Sequence, residues 1–179
     1  MSEIPIFRRI ALALTGIVLS AYLLRPQISQ ALVIRGDERL YRGSAADALI
    51  YYRRAIEADP TDGDAVDRFS FGAISLRNRA LVRAGIEFAS EYLRRRPEDD
   101  VVRMDRAMAC RLVGDWRCAA DDFERAGVRK RDATALTFAG YAALALHQRT
   151  RAIALWQRAL TVNSGFVAAR HALRATVAL

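Results

Sequence analysis

Four sets of residues recur along this chain at helical spacing, and they constrain its fold more than any other feature. Ala48, Tyr52 and Ala55 form the first set, Ala119, Phe123 and Ala126 the third, Ala152, Trp156 and Ala159 the fourth. Small, large and small residues at offsets zero, four and seven lie on one face of a helix. Gly85, Ala89 and Tyr92 stand at the same offsets in a degenerate second set, with glycine for alanine and alanine for the aromatic. The sets begin at 48, 85, 119 and 152, so the register advances by 37, 34 and then 33 residues. A period of that length marks a stack of similar units, each burying its face on the next. Pro60 and Pro97 follow the first two sets at the same distance. The three extra residues of the first interval are expected near the turn Pro60 to Asp64, where added length costs little.

A second mark precedes each set by twelve residues: Gly36, Ala73, Ala107 and Gly140. Small residues there let two helix backbones approach, and the large residue of the following helix fills the groove beside them. Together these residues resemble the tetratricopeptide repeat, a helix-turn-helix unit of about 34 residues. The resemblance spans roughly residues 29 to 166 and leaves Asn163 to Leu179 as a closing helix over the last exposed face. It implies an all-α fold, a right-handed solenoid of about four helix pairs plus a capping helix. A hydrophobic helix precedes the repeats. The expected division is therefore residues 1–28, an anchor or signal segment, and residues 29–179, the solenoid.

The amino-terminal segment carries Arg8 and Arg9, then an uncharged run from Ile10 to Leu24, then Arg25 and Pro26. At 1.5 Å per residue the run spans about 22 Å, short of a ~30 Å hydrocarbon core. Flanking arginines extend its usable length by snorkelling. The leading reading is a retained single-pass anchor in a bacterial inner membrane, its amino terminus cytoplasmic and the repeats facing the periplasm. A cleaved signal ending at Ser29-Gln30-Ala31 and a globular helix are the alternatives.

The stretch Gly114 to Gly127, GDWRCAADDFERAG, holds a cysteine, an acidic pair and a tryptophan. In register it is the turn and second helix of the third repeat. Asp115 caps that helix, and Asp121 and Asp122 are expected mainly toward solvent. Adjacent carboxylates on a helix point about 100° apart and are not set like an acid/base pair across a substrate. Cys110 and Cys118 flank the same turn. They are read either as a disulfide across the hairpin or as two small buried side chains. His147 and His171 have no partner at metal-ligand spacing, and no phosphate-loop, dinucleotide or nucleophile-elbow motif occurs. No enzyme, catalytic residue, metal or cofactor is expected.

Formal net charge is +8, almost all of the positive charge being arginine. An arginine-rich surface can bind nucleic acid, yet the arginines are spread along helices that also carry acids, so that partner is disfavoured. The tetratricopeptide resemblance points instead to a groove formed by the first helices of each pair, holding a protein or peptide. By register the groove offers Tyr41, Phe71, Ile74, Arg77, Met108, Arg111, Phe138 and Tyr141. It lacks the basic and polar residues with which one subtype clamps a terminal carboxylate, Ile34, Asp37, Phe71 and Ile74 standing there instead. The expected function is a membrane-tethered interaction module or scaffold, with residues 10–24 as the tether. The alternative is a structural subunit that assembles with copies of itself.

Overall fold

A computed structural model describes residues 6–177 of the chain. These residues form ten successive helices and no strand. They are α1 Ile6–Leu23, α2 Arg25–Tyr41, α3 Ala45–Ala58, α4 Gly63–Ser75, α5 Arg79–Arg95, α6 Asp100–Val113, α7 Trp116–Lys130, α8 Ala133–Ala145, α9 Arg149–Val162 and α10 Val167–Val177. The repeats are the pairs α2/α3, α4/α5, α6/α7 and α8/α9, with α10 closing the last. The chain divides into two compact units, Met1–Ala65 and Val66–Leu179.

In the first unit α2 packs on α3. Gly36 faces Tyr52 so closely that a methyl group at Gly36 would overlap the Tyr52 ring. The Tyr52 hydroxyl donates to Asp37 Oδ1 at 2.7 Å. Ser29 is fully buried, and its hydroxyl lies 3.1 Å from the carbonyl of Ala55 and 2.6 Å from Asp62 Oδ2.

The second unit has an alanine-rich core. Ala107, Ala119, Ala126, Ala139, Ala152 and Ala159 have no solvent exposure, and Phe123, Leu136 and Trp156 are equally buried. Alanine lets helix axes come close, and the few large side chains then fill the space that remains. Gly140 repeats the arrangement of Gly36: an added methyl would strike the Trp156 indole. That indole N–H donates to the carbonyl of Thr137 at 3.2 Å.

The turns inside the four pairs share one device. Gly43, Arg77, Gly114 and His147 all have positive φ, at 83°, 51°, 87° and 59°. The left-handed residue ends the first helix and reverses the chain. Measured from it, the register advances by 34, 37 and 33 residues, not by 37, 34 and 33. The extra three residues therefore lie in the second repeat, not near Pro60. α5 has 17 residues against 14, 15 and 14 in α3, α7 and α9. Counted from the turn, Val82, Ile86 and Ala89 replace Gly85, Ala89 and Tyr92 as the second set, and Ser70 replaces Ala73 as the small residue. Side-chain caps fix several starts: Asn78 Oδ1 accepts from Ala80 and Leu81, Asp99 Oδ1 from Val101 and Val102, and Asp132 Oδ1 from Thr134 and Ala135.

Candidate partner-binding face

Seven of the eight residues assigned to the groove lie in the second unit, and Tyr41, 94% exposed at the end of α2, lies in the first. Three of the seven come together. The Arg111 guanidinium of α6 sits 5.2 Å from the centre of the Phe138 ring of α8, and its Nη2 lies 4.0 Å from Met108 Sδ. This is a cation–π contact bridging two successive first helices. Beneath it Phe138 meets buried Phe123 at 5.4 Å between ring centres. Met104 and Met108 also rest partly buried on the core. The platform is thus apolar, rooted in the core and topped by one cation.

The remaining residues play different parts. Phe71 is 64% exposed on α4, with Ile74 half-buried on the same helix. Arg77 stands two residues beyond the end of α4, and its left-handed backbone makes it the turn residue rather than a first-helix residue. Tyr141 packs edge-on to Trp156 at 5.5 Å, and its hydroxyl donates to the carbonyl of Ala168 at 3.5 Å. Part of Tyr141 therefore ties α8 to α9 and α10. Leu112 and Leu144 add exposed apolar surface to α6 and α8.

Below this face lies a buried ionic network. Asp122 is buried, contrary to its expected solvent position, and accepts both Arg106 Nε at 2.7 Å and Arg106 Nη2 at 2.9 Å. Arg106 Nη1 donates to Ser90 Oγ at 3.0 Å, which links α5, α6 and α7. Arg103, only 2% exposed, lies 3.5 Å from Asp122 and 3.6 Å from Asp100, and donates to the carbonyl of Pro97. Asp121 does face solvent and pairs with Arg151 of α9 at 2.7 Å. The acidic pair of the hairpin thus serves two helix–helix contacts.

Cys110 and Cys118 are joined by a disulfide, their Cα atoms 5.9 Å apart. Asp115 Oδ1 accepts from the Cys118 amide at 3.1 Å as the α7 cap. The hairpin is closed by this bond, the cap and the left-handed Gly114.

Asp67 of α4 and Asp105 of α6 are neighbouring carboxyls. The Asp105 carboxyl is pushed up to about 8, first by burial, then by its hydrogen bond with Asp67 and by the negative charges of Asp67 and Asp99. Tyr92 of α5 donates its hydroxyl to Asp99 Oδ2 at 2.8 Å, and burial followed by that bond pushes the phenol up to about 12.

No family model matches the sequence, and none of the curated proteins matches it. Solved structures do resemble the fold. A MamA crystal structure superposes with a TM-score of 0.74 at 16% identity, over 85% of this chain and 82% of that one. MamA from Desulfovibrio magneticus gives 0.70 at 16% identity over 84% of each chain. A tetratricopeptide repeat protein from Parabacteroides merdae gives 0.67 at 16%, over 85% of this chain and 61% of its own. This is a tetratricopeptide-repeat fold. Folds of this kind stack paired helices so that successive first helices share a surface. The Met108, Arg111 and Phe138 cluster stands on two of those helices.

The expected membrane run falls in α1. Among the described residues no single helix is long and apolar enough to cross a membrane. Leu14–Ser20 and Arg25–Tyr41 satisfy length and composition only as a pair, across a bend of 41°. The side chains of Arg8, Arg9 and Ile10 lie outside the described residues.

Proposed function

We propose that this chain is a non-enzymatic interaction module, held at a bacterial inner membrane by its first helix, that binds a segment of a partner protein across α6 and α8. The observation that carries the reading is the Met108, Arg111 and Phe138 platform. Its side chains come from successive first helices, stay partly open to solvent and rest on a rigid core. Apolar side chains of a partner helix or strand would bury against it, and Arg111 would favour an acidic or carbonyl-bearing neighbour.

Tethering draws support from α1. Leu14, Val18, Leu19, Leu23 and Leu24 are each more than half exposed along or just after it, more apolar surface than an isolated helix leaves in water without a purpose. Arg25 stacks over Tyr22 at 4.8 Å at the end of that run, an interface-like pairing. Retention of the segment is favoured because Ser29 is bonded into the first unit, and cleavage after Ala31 would cut α2 in its middle. A periplasmic location for the repeats agrees with the disulfide, since such bonds persist in oxidising compartments. The self-assembling alternative would bury the exposed face of α1 against a second copy.

The test is recovery of the full-length chain from native membranes in mild detergent, with identification of what accompanies it. The expected result is one stoichiometric protein that is retained by Glu87→Lys, on an exposed position of α5, and lost at least tenfold with Met108→Asp or Phe138→Asp. Equal recovery with all three variants sinks the groove. A discrete oligomer of this chain alone moves the function to self-assembly.

A further inference from the structure

We infer that the cleft between the α7–α8 turn and the α9–α10 turn binds a small organic phosphate monoester, its head held by Lys130 and Arg131 and its apolar body laid on Val162 and Phe166. The cleft has a volume of about 490 Å³, and residues of both turns line it. That size lies within the range of small-molecule sites. Each turn follows the second helix of a repeat, and the cleft shares no residue with the Met108, Arg111 and Phe138 platform. The inference therefore stands apart from the proposed function.

Charge selects the head. Lys130 and Arg131 are exposed, and no acid among the described residues pairs with either. Asp132 is the one carboxylate of the lining, and it is already engaged. Its Oδ1 accepts from the amides of Thr134 and Ala135, against the positive end of α8. Two unspent cations match a phosphate monoester, whose charge at neutral pH is about −1.5 to −2. A carboxylate would leave one of them uncompensated. Lysine offers the oxygens a point charge and arginine a planar fork. The Thr134 hydroxyl and the Asn163 amide line the same space as neutral donors. Asn163 Oδ1 is taken by the Gly165 amide at 3.0 Å, which leaves Nδ2 for a ligand.

The α9–α10 side selects the body. Val162 and Phe166 rest partly buried on the core. The turn that carries Phe166 is fixed, its amide donating to the Asn163 carbonyl at 3.0 Å. On the cation side, Arg131 has a φ of 52°, and the next amide, that of Asp132, donates to the Gly127 carbonyl at 2.9 Å. Arginine thus holds a left-handed backbone in which glycine is the easier residue. Cations on one turn and anchored apolar surface on the other suit an anion that carries an apolar body better than a bare ion.

Calorimetric titration of the full-length chain in mild detergent with phenyl phosphate tests the site, with inorganic phosphate and phenol as controls. Phenyl phosphate should bind about tenfold more tightly than either control, since each control lacks one half of the contacts. Arg131→Gly and Lys130→Ala should each weaken it by about tenfold, the loss of one charge-assisted hydrogen bond. Glycine relaxes the left-handed turn, so Arg131→Gly should unfold at no lower temperature than wild type, and its lost affinity is then not a folding defect. A short-chain phosphatidic acid, added as monomer, separates two sources of the head. Tighter binding than phenyl phosphate assigns it to a lipid, weaker binding to a soluble aromatic ester. Absence of binding by both esters overturns the site. So does inorganic phosphate that binds as tightly as the esters, an adventitious ion only, and so does unchanged affinity in either variant.

Discussion

Gly85 and Gly140 are both buried helix glycines, and their surroundings give opposite expectations for one methyl group. At Gly85 the added carbon would sit 3.5 Å from Ser70 Oγ and 3.7 Å from the Phe69 ring, ordinary contact. Gly85→Ala should therefore stabilise by about 1 kcal/mol through the smaller backbone entropy of alanine. At Gly140 the methyl would collide with an indole that is itself fully buried, and Gly140→Ala should destabilise by about 1–3 kcal/mol. Thermal unfolding of the two variants beside wild type checks both signs. At this scale the sequence was only partly legible. Gly140 stands out because Trp156 follows at the repeat spacing. Arg77 and His147 carry no sign that they adopt the left-handed turn that Gly43 and Gly114 announce. The burial of Asp122 was hidden because the partner that neutralises it, Arg106, lies 16 residues away across a turn. Spacing along one helix cannot see that.

Helices were easier to read than their alignment. The pairs, their order and the closing helix follow from the recurring small residues, yet the second repeat is placed three residues off by its own pattern. A shift of three keeps the same helix face, so Gly85, Ala89 and Tyr92 look as regular as Val82, Ile86 and Ala89. Pro97 fixes the end of α5 and Asn78 its start, and the extra turn lies between them. The α6–α7 hairpin carries the sharpest expectation at this scale. Its disulfide closes a short loop, and the chain-entropy model gives such a bond about 2–3 kcal/mol. The Cys110→Ser, Cys118→Ser variant should accordingly unfold several degrees below the oxidised protein, and reduction of wild type should give the same shift. Because α6 bears Met108 and Arg111, loosening the hairpin should also weaken whatever the platform holds. An oxidised protein and a reduced one with the same unfolding temperature would leave the bond without a structural role.

The whole molecule joins a repeat stack to a helix that finds little cover within its own unit. Each large apolar side chain gains about 1.5–3 kcal/mol on full burial, and α1 with Leu24 leaves Phe7, Leu14, Val18, Leu19, Leu23 and Leu24 mostly exposed. Either a bilayer or a second copy of the helix can supply that burial, and the two make different demands. A bilayer asks for a long apolar surface around the helix and for cations and aromatics at its edge, which Tyr22 and Arg25 offer. Helix–helix packing asks for one continuous stripe and leaves the opposite face polar. At about 100° per residue the exposed residues Leu14, Val18, Leu19, Tyr22 and Leu23 cover about half of the α1 circumference, a band broader than one packing stripe. That breadth, with Tyr22 and Arg25 paired at its edge, favours the bilayer. After an alkaline wash the full-length chain should remain with the membrane pellet, whereas Leu14→Glu combined with Leu19→Glu should release it while thermal unfolding of the repeats stays unchanged. Release of wild type by the wash, together with cross-linking between α1 helices of two copies, would transfer the burial to self-assembly and remove the tether from the proposed function.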